Sequence, residues 1–238
     1  MTIAVMIQKM SEGLGRTCGI FFLTLLFSLP LGLIMALLRR SRFVVVRSVM
    51  RAIISILRGT PLMLQLLAVT YGPFYIGEML KDVAAANGLV WLKDFVVGCS
   101  FFGIPSEKLV SIIVGFSINY AAYFAEIYRG GIESMPVGQY EAAAVLGYSK
   151  VQTFMRIILP QVIKRILPSM TNEIITLVKD TSMAFTVAYQ EMFTIGKQIA
   201  NSQSSFMPFI IAGVFYYVFN SLVAFAMSRI EKGLNYYR

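Results

Sequence analysis

Residues 18–38 read CGIFFLTLLFSLPLGLIMALL, twenty-one residues without a single charge. A helix needs about 20 mainly apolar residues to cross the hydrocarbon layer of a bilayer. This stretch alone therefore points to a membrane. Three more stretches follow the same pattern: residues 59–77 (GTPLMLQLLAVTYGPFYIG), 109–125 (LVSIIVGFSINYAAYFA) and 206–228 (FMPFIIAGVFYYVFNSLVAFAMS). The first of these is expected to continue back into the apolar run before Arg58, and the second to extend through Ile127. Composition agrees. The 238 residues are 57% hydrophobic and 14% charged, with a mean hydropathy of +0.71, against about 45–50% and about 25% in an ordinary soluble domain.

A fifth candidate span, residues 166–189, contains Glu173, Lys179 and Asp180. A charge at the bilayer centre costs about 2.5–3.5 kcal/mol on insertion scales. Three are tolerated only if the segment is a helix surrounded by the other four, with its polar groups facing a wet cavity. The sequence thus predicts an all-α integral membrane protein of about five transmembrane helices, a single domain over residues 1–238. The apolar run at 95–104 is too short to cross and reads as a loop dipping toward the membrane. Residues 1–16 lack the basic, apolar and small-residue order of a cleaved signal peptide.

The net charge of +9 raises nucleic acid as a partner. The distribution of Lys and Arg argues otherwise. Fourteen lie in three segments, 39–58, 129–165 and 229–238, and six lie in the alternating segments, at Lys9, Arg16, Lys81, Lys93, Lys108 and Lys197. Basic residues concentrate in cytoplasmic loops, so the N-terminus is expected outside and the C-terminus inside. In the run VVVRSVMRAIISILR, Arg47, Arg51 and Arg58 share one helix face. An interfacial amphipathic helix leading into the second span is the expected structure, with a gating or substrate role for Arg58 as the alternative.

Enzyme chemistry has little to work with. There is no histidine, the commonest general base. The two cysteines, Cys18 and Cys99, form no CxxC pair, which argues against a structural metal site. No GxxxxGK[ST] phosphate loop occurs, so any nucleotide chemistry belongs to another chain.

The most informative connection is residues 129–165, RGGIESMPVGQYEAAAVLGYSKVQTFMRIILPQVIKR. Residues 137–146 favour a helix, Gly147 stands where a helix end needs positive φ, and a second run at 151–159 is expected to stop at Pro160. Two short helices around a glycine corner make a rigid knob. Its small alanines admit a close approach, and Glu141 offers a partner to a basic group. The residues alone leave a docking surface and an ordinary loop packed on its own bundle equally open.

Glu141-Ala142-Ala143, then Gly147, then Ile157 to Pro160 resembles the EAA loop of ABC importer permeases, whose form is EAA, three residues, G, nine or ten residues, I-x-L-P. The sequence Leu57-Arg58-Gly59-Thr60-Pro61-Leu62 with Gln65, the run at 122–139 and LVKDTSM at 177–183 are similar to segments of the polar amino-acid subfamily, of the histidine, glutamine and arginine type. The resemblance implies a type I importer permease fold in the bacterial inner membrane, crossing it several times. It implies a second permease subunit, identical or paralogous, and a cytoplasmic ABC ATPase dimer that carries the ATP and Mg. It also implies an extracytoplasmic solute-binding protein and an amino-acid substrate, with lipid around the bundle, no nucleic acid and no cofactor on this chain. Coupling to the ATPase then falls to Glu141, Ala142, Ala143 and Gly147. A permease for methionine or an anion, and a membrane assembly subunit without a pathway, are the rival readings.

A zwitterion leaves water only where hydrogen bonds and opposite charges replace its hydration. On the fifth candidate helix Asn172, Thr176 and Lys179 share one face, and Glu173 and Asp180 share the adjacent one. Thr60, Gln65 and Asn119 are the remaining candidate groups for the substrate path. Lys179 is expected to hold a carboxylate and Glu173 or Asp180 an ammonium. For Lys179 and Asp180, fixing the bundle by pairing with other helices is an equal alternative.

Overall fold

The computed structural model describes residues 2–87 and 108–234, with the backbone alone for 81–87. The loop expected at 95–104, with Cys99, lies outside the described residues. The chain runs through α1 (Ile3–Arg39), α2 (Val44–Gly59), α3 (Leu62–Asn87), α4 (Lys108–Glu133), α5 (Val137–Val145) and α6 (Lys150–Thr153). After a π-helical turn at Phe154–Ile158 come α7 (Leu159–Asp180), a 3-10 segment at Thr181–Val187, α8 (Met192–Gln203) and α9 (Met207–Gly233). Among the described residues, α1, α4 and α9 are each long and apolar enough to cross a membrane. The pair α2–α3 makes a fourth if taken as one broken span. Charges keep α7 out of that set on composition, yet it packs against α4 and α9 inside the bundle.

The core joins α1, α3, α4, α7 and the 3-10 segment through Ile20, Phe21, Leu66, Phe116, Phe124, Leu177 and Val187. The most extensive packing is between α1 and α4. There Gly32 lies so close to α4 that a Cβ would sit 2.9 Å from the Ala121 carbonyl oxygen. Around it Ala121, Ala122 and Ala125 are buried against Met35 and Ala36. Helices in lipid gain little from excluding apolar groups, so small residues that let backbones approach carry the association.

Two sequence expectations are corrected. The second span does not continue into the run before Arg58: Gly59 ends α2, Thr60 is extended, and α3 leaves at 109° to α2. Pro61 explains the break, because the residue before a proline is pushed out of the helical region. Pro160 does not stop a helix either. It lies within a continuous helical run in which α6, the π turn and α7 follow without a break, and the π turn just before it is the wider turn that accommodates a residue with no N–H to donate.

At the end of the bundle away from α5, Glu191 ties three helices together. It is fully buried and caps α8 by accepting from the backbone N–H groups of Phe193 and Thr194, both at 2.7 Å. It also accepts from the hydroxyls of Thr194 at 2.8 Å, Tyr216 at 3.2 Å and Thr17 at 3.4 Å. Glu191→Ala removes the cap and strands these donors. The expected loss is about 2–4 kcal/mol, combining a lost N-cap with buried unpaired hydroxyls, read as a lower melting temperature of the solubilised protein. Glu191→Gln keeps part of it. An unchanged melting temperature in the alanine variant would show that this knot holds nothing.

Candidate functional site

The knob expected at 129–165 is built as a short stiff helix on a packed base. Its termination follows from Gly147, whose φ of 79° is open to glycine and costly for other residues. The Gly147 N–H reaches the Ala144 carbonyl at 3.0 Å and the Tyr148 N–H reaches the Ala143 carbonyl at 3.0 Å. That pair of bonds is a Schellman motif. A Cβ on Gly147 would meet no atom within 4 Å, so the requirement lies in the backbone turn and not in space. Ser149 then opens α6 with a capping box to Gln152. Beneath, Ile132, Met135, Ile158 and Val162 form a small core that joins the end of α4 to the start of α7.

The four coupling candidates do not share a face. Ala143 is buried, turned toward the base, while Glu141 and Ala142 are exposed. Val145, Leu146 and Val151 stand 88%, 73% and 71% exposed beside them. Three large apolar side chains on a projecting tip form a surface that the sequence reading did not single out. Their apolar character was visible, but only the Gly147 corner turns them outward together.

The polar candidates separate into three groups. Thr60, Gln65 and Asn119 come together at the α2–α3 break. The Gln65 amide donates to the Leu57 carbonyl at 2.7 Å and to the Thr60 hydroxyl at 2.8 Å. The Asn119 amide donates to Gln65 Oε1 at 3.0 Å and to the Leu57 carbonyl at 3.3 Å. These side chains satisfy the carbonyl that the helix break leaves open, as non-helical backbone inside a membrane protein requires.

The second group is acidic. Asp180 accepts a hydrogen bond of 2.7 Å from the hydroxyl of Tyr120, which is buried in α4. Glu173, half-buried and about two helical turns before Asp180, shares this environment with Asp180 and Tyr120. Arg58, from the end of α2, lies over the Tyr123 ring at 5.2 Å and within electrostatic reach of Glu173. The third group is the exposed face of α7, with Asn172, Thr176 and Lys179. Lys179 lines a separate cavity of about 320 Å³ with Ser182, Phe193, Phe209 and Tyr216. Arg58 is thus the cation that acts on Glu173, and Lys179 remains the cation that acts on Asp180. Helical spacing put Lys179 near Asp180 along the chain; only the fold brings α2 across.

A broken span, an acid-bearing helix packed among the spans and a short helix closed by a glycine turn define a polytopic membrane subunit. Residues 28–236 match the family described as the binding-protein-dependent transport system inner membrane component, and the chain belongs to it. It is 35% identical over 87% of its length to 80% of the octopine transport system permease protein OccM of Rhizobium radiobacter. It is 32% identical over 89% of its length to 84% of the probable amino-acid permease protein YxeN of Bacillus subtilis (strain 168). A chain from the crystal structure of an amino acid ABC transporter with histidines superposes with a TM-score of 0.79 at 27% identity, covering 98% of both chains.

Proposed function

We propose that the chain is the membrane subunit of an ATP-driven importer for a polar amino acid, lining a pathway with a second permease subunit, identical or paralogous. In this reading the N-terminus faces outward and the α5 end faces the cytoplasm. There Glu141, Ala142, Ala143 and Gly147, with the exposed Val145, Leu146 and Val151, seat in an ABC ATPase dimer that holds ATP and Mg. An extracytoplasmic binding protein delivers the substrate. The observation that carries the proposal is the tip itself: a helix closed by a Schellman turn, with large apolar side chains exposed outside the spanning segments. Exposed apolar groups in such a position mark a protein contact. A stiff helix on a packed base transmits a displacement that a flexible loop would absorb.

The substrate class rests on charge. Glu173 and Asp180 offer counter-ions to an ammonium or a cationic side chain, and Arg58 near Glu173 and Lys179 near Asp180 offer them to a carboxylate. Relatives named as amino-acid and octopine permeases support this class. The test is ligand-stimulated ATPase activity of the complex reconstituted with its ATPase and binding protein, screened across amino acids. A polar amino acid is expected to stimulate most strongly. Stimulation by methionine or an inorganic anion alone would overturn the substrate assignment.

A further inference from the structure

Five arginines from three helices converge at the end of the bundle that carries α5. Arg39 and Arg40 end α1, Arg47 and Arg51 lie on α2, and Arg129 is near the end of α4. With Glu133 they line a cavity of about 330 Å³. Glu126 pairs with both Arg39 and Arg129, and Glu133 pairs with Arg129. Among the described residues, Arg40, Arg47 and Arg51 make no salt bridge. Five guanidinium groups against two carboxylates leave three positive charges uncompensated around one hollow.

Loading of basic residues on one side of a membrane accounts for their number, but not for their convergence. Arginines placed only for orientation would spread into water. Here α2 turns away from α3 and packs against both α1 and α4, which brings Arg47 and Arg51 to the cavity that the ends of those helices share. Paired Arg39 and Arg129 form a fixed wall, and the unpaired three remain free to close on a ligand. Guanidinium groups bind phosphate oxygens in pairs with a fixed fork geometry, so the shared chemistry of any occupant is a phosphate group.

The flanks decide its source. Leu33, Leu37 and Leu38 on the last turns of α1 are 47%, 58% and 39% exposed, and Val44, Val45 and Val49 on α2 are 62%, 75% and 52% exposed. In an inner-membrane family these faces meet hydrocarbon. A cationic hollow level with helix ends and bordered by apolar surface fits an amphiphile with an anionic head. We infer that this cavity binds the phosphate headgroup of an anionic membrane lipid, which thereby staples α2 to the ends of α1 and α4.

The test uses the intact transporter complex, extracted from vesicles of phosphatidylcholine with phosphatidylglycerol and examined by native mass spectrometry. The wild type is expected to retain phosphatidylglycerol in preference to phosphatidylcholine. In R47Q/R51Q that preference should fall roughly tenfold or more, the scale of two basic residues beside an anionic lipid surface. R47K/R51K should keep most of it. Should the glutamine variant fail to fold, as judged by its melting temperature in phosphatidylcholine alone, the wild-type preference and the lysine variant still decide the matter. No preference in the wild type, or equal retention in R47Q/R51Q, overturns the inference. Stabilisation by millimolar inorganic phosphate without phosphatidylglycerol retention would assign the hollow to a free anion instead. Loss of the ATPase subunit from R47Q/R51Q with lipid retention unchanged would give these arginines to a protein interface.

Discussion

Gly147→Val is expected to abolish most ATP-driven uptake while leaving membrane insertion intact. Residue 147 holds φ at 79°, and an L residue in that left-handed region costs about 1–2 kcal/mol, more when β-branched. The Schellman bonds from Gly147 and Tyr148 to Ala144 and Ala143 would lengthen or break. The last turn of α5 would fray, and Val145 and Leu146 would lose their fixed direction. A penalty of that size on a coupled docking step corresponds to uptake falling about tenfold, since each 1.4 kcal/mol is a factor of ten. Gly147→Asn separates conformation from identity. Asparagine tolerates the left-handed region, so this variant should retain uptake within about threefold of wild type, less than half a decade on the same scale. Uptake into proteoliposomes, together with co-purification of the ATPase, measures both. Normal uptake and normal ATPase recruitment in the valine variant would remove α5 from the coupling role.

Much of this architecture was legible from residues, and the parts that were not share a cause. The uncharged run at 18–38, the glycine corner at 147 and the amphipathic face of α2 are local patterns, and each appears in the structure as the sequence predicts. Local reading failed where continuity had to be judged. Averaged hydropathy carries smoothly across Arg58 and hides the turn at Thr60, although Gly59 and Pro61 bracket it. Pro160 reads locally as a stop because it removes a backbone donor, and only the π turn that precedes it in the structure carries the helix through. The candidate site was legible only in part. Asn172, Thr176 and Lys179 share one face and Glu173 and Asp180 the next, because one residue is a rotation of about 100° on a helix. That rotation sends Lys179 toward α8 and α9 and leaves Asp180 against Tyr120. Arg58 reaches Glu173 only because α2 packs against α4, a tertiary fact that no spacing rule contains.

Charge substitution at the acidic group should divide substrates by their side chains. Glu173→Gln keeps the shape and hydrogen-bonding reach of the side chain and removes one negative charge, while Asp180 stays held by Tyr120. If the proposed pathway carries the substrate past this face, a cationic amino acid loses a charge-assisted contact of about 1.5–3 kcal/mol. Its uptake should fall about ten- to a hundredfold on the same energy scale. A neutral polar amino acid, which needs one counter-ion for its ammonium and still finds Asp180, should lose less than about threefold. Arg58→Ala should act in the opposite sense on selectivity. It removes the cation facing Glu173, so the local potential becomes more negative and neutral or anionic substrates suffer more than cationic ones. The two variants together discriminate contact from scaffolding. A group that only fixes the bundle would lower uptake of every substrate by one common factor and lower the melting temperature with it. Competition uptake with matched cationic and neutral amino acids reads that ratio directly, independent of how much transporter reaches the membrane. A ratio unmoved in both variants would place substrate elsewhere, with the cavity beside Lys179, Phe193 and Tyr216 next to be probed.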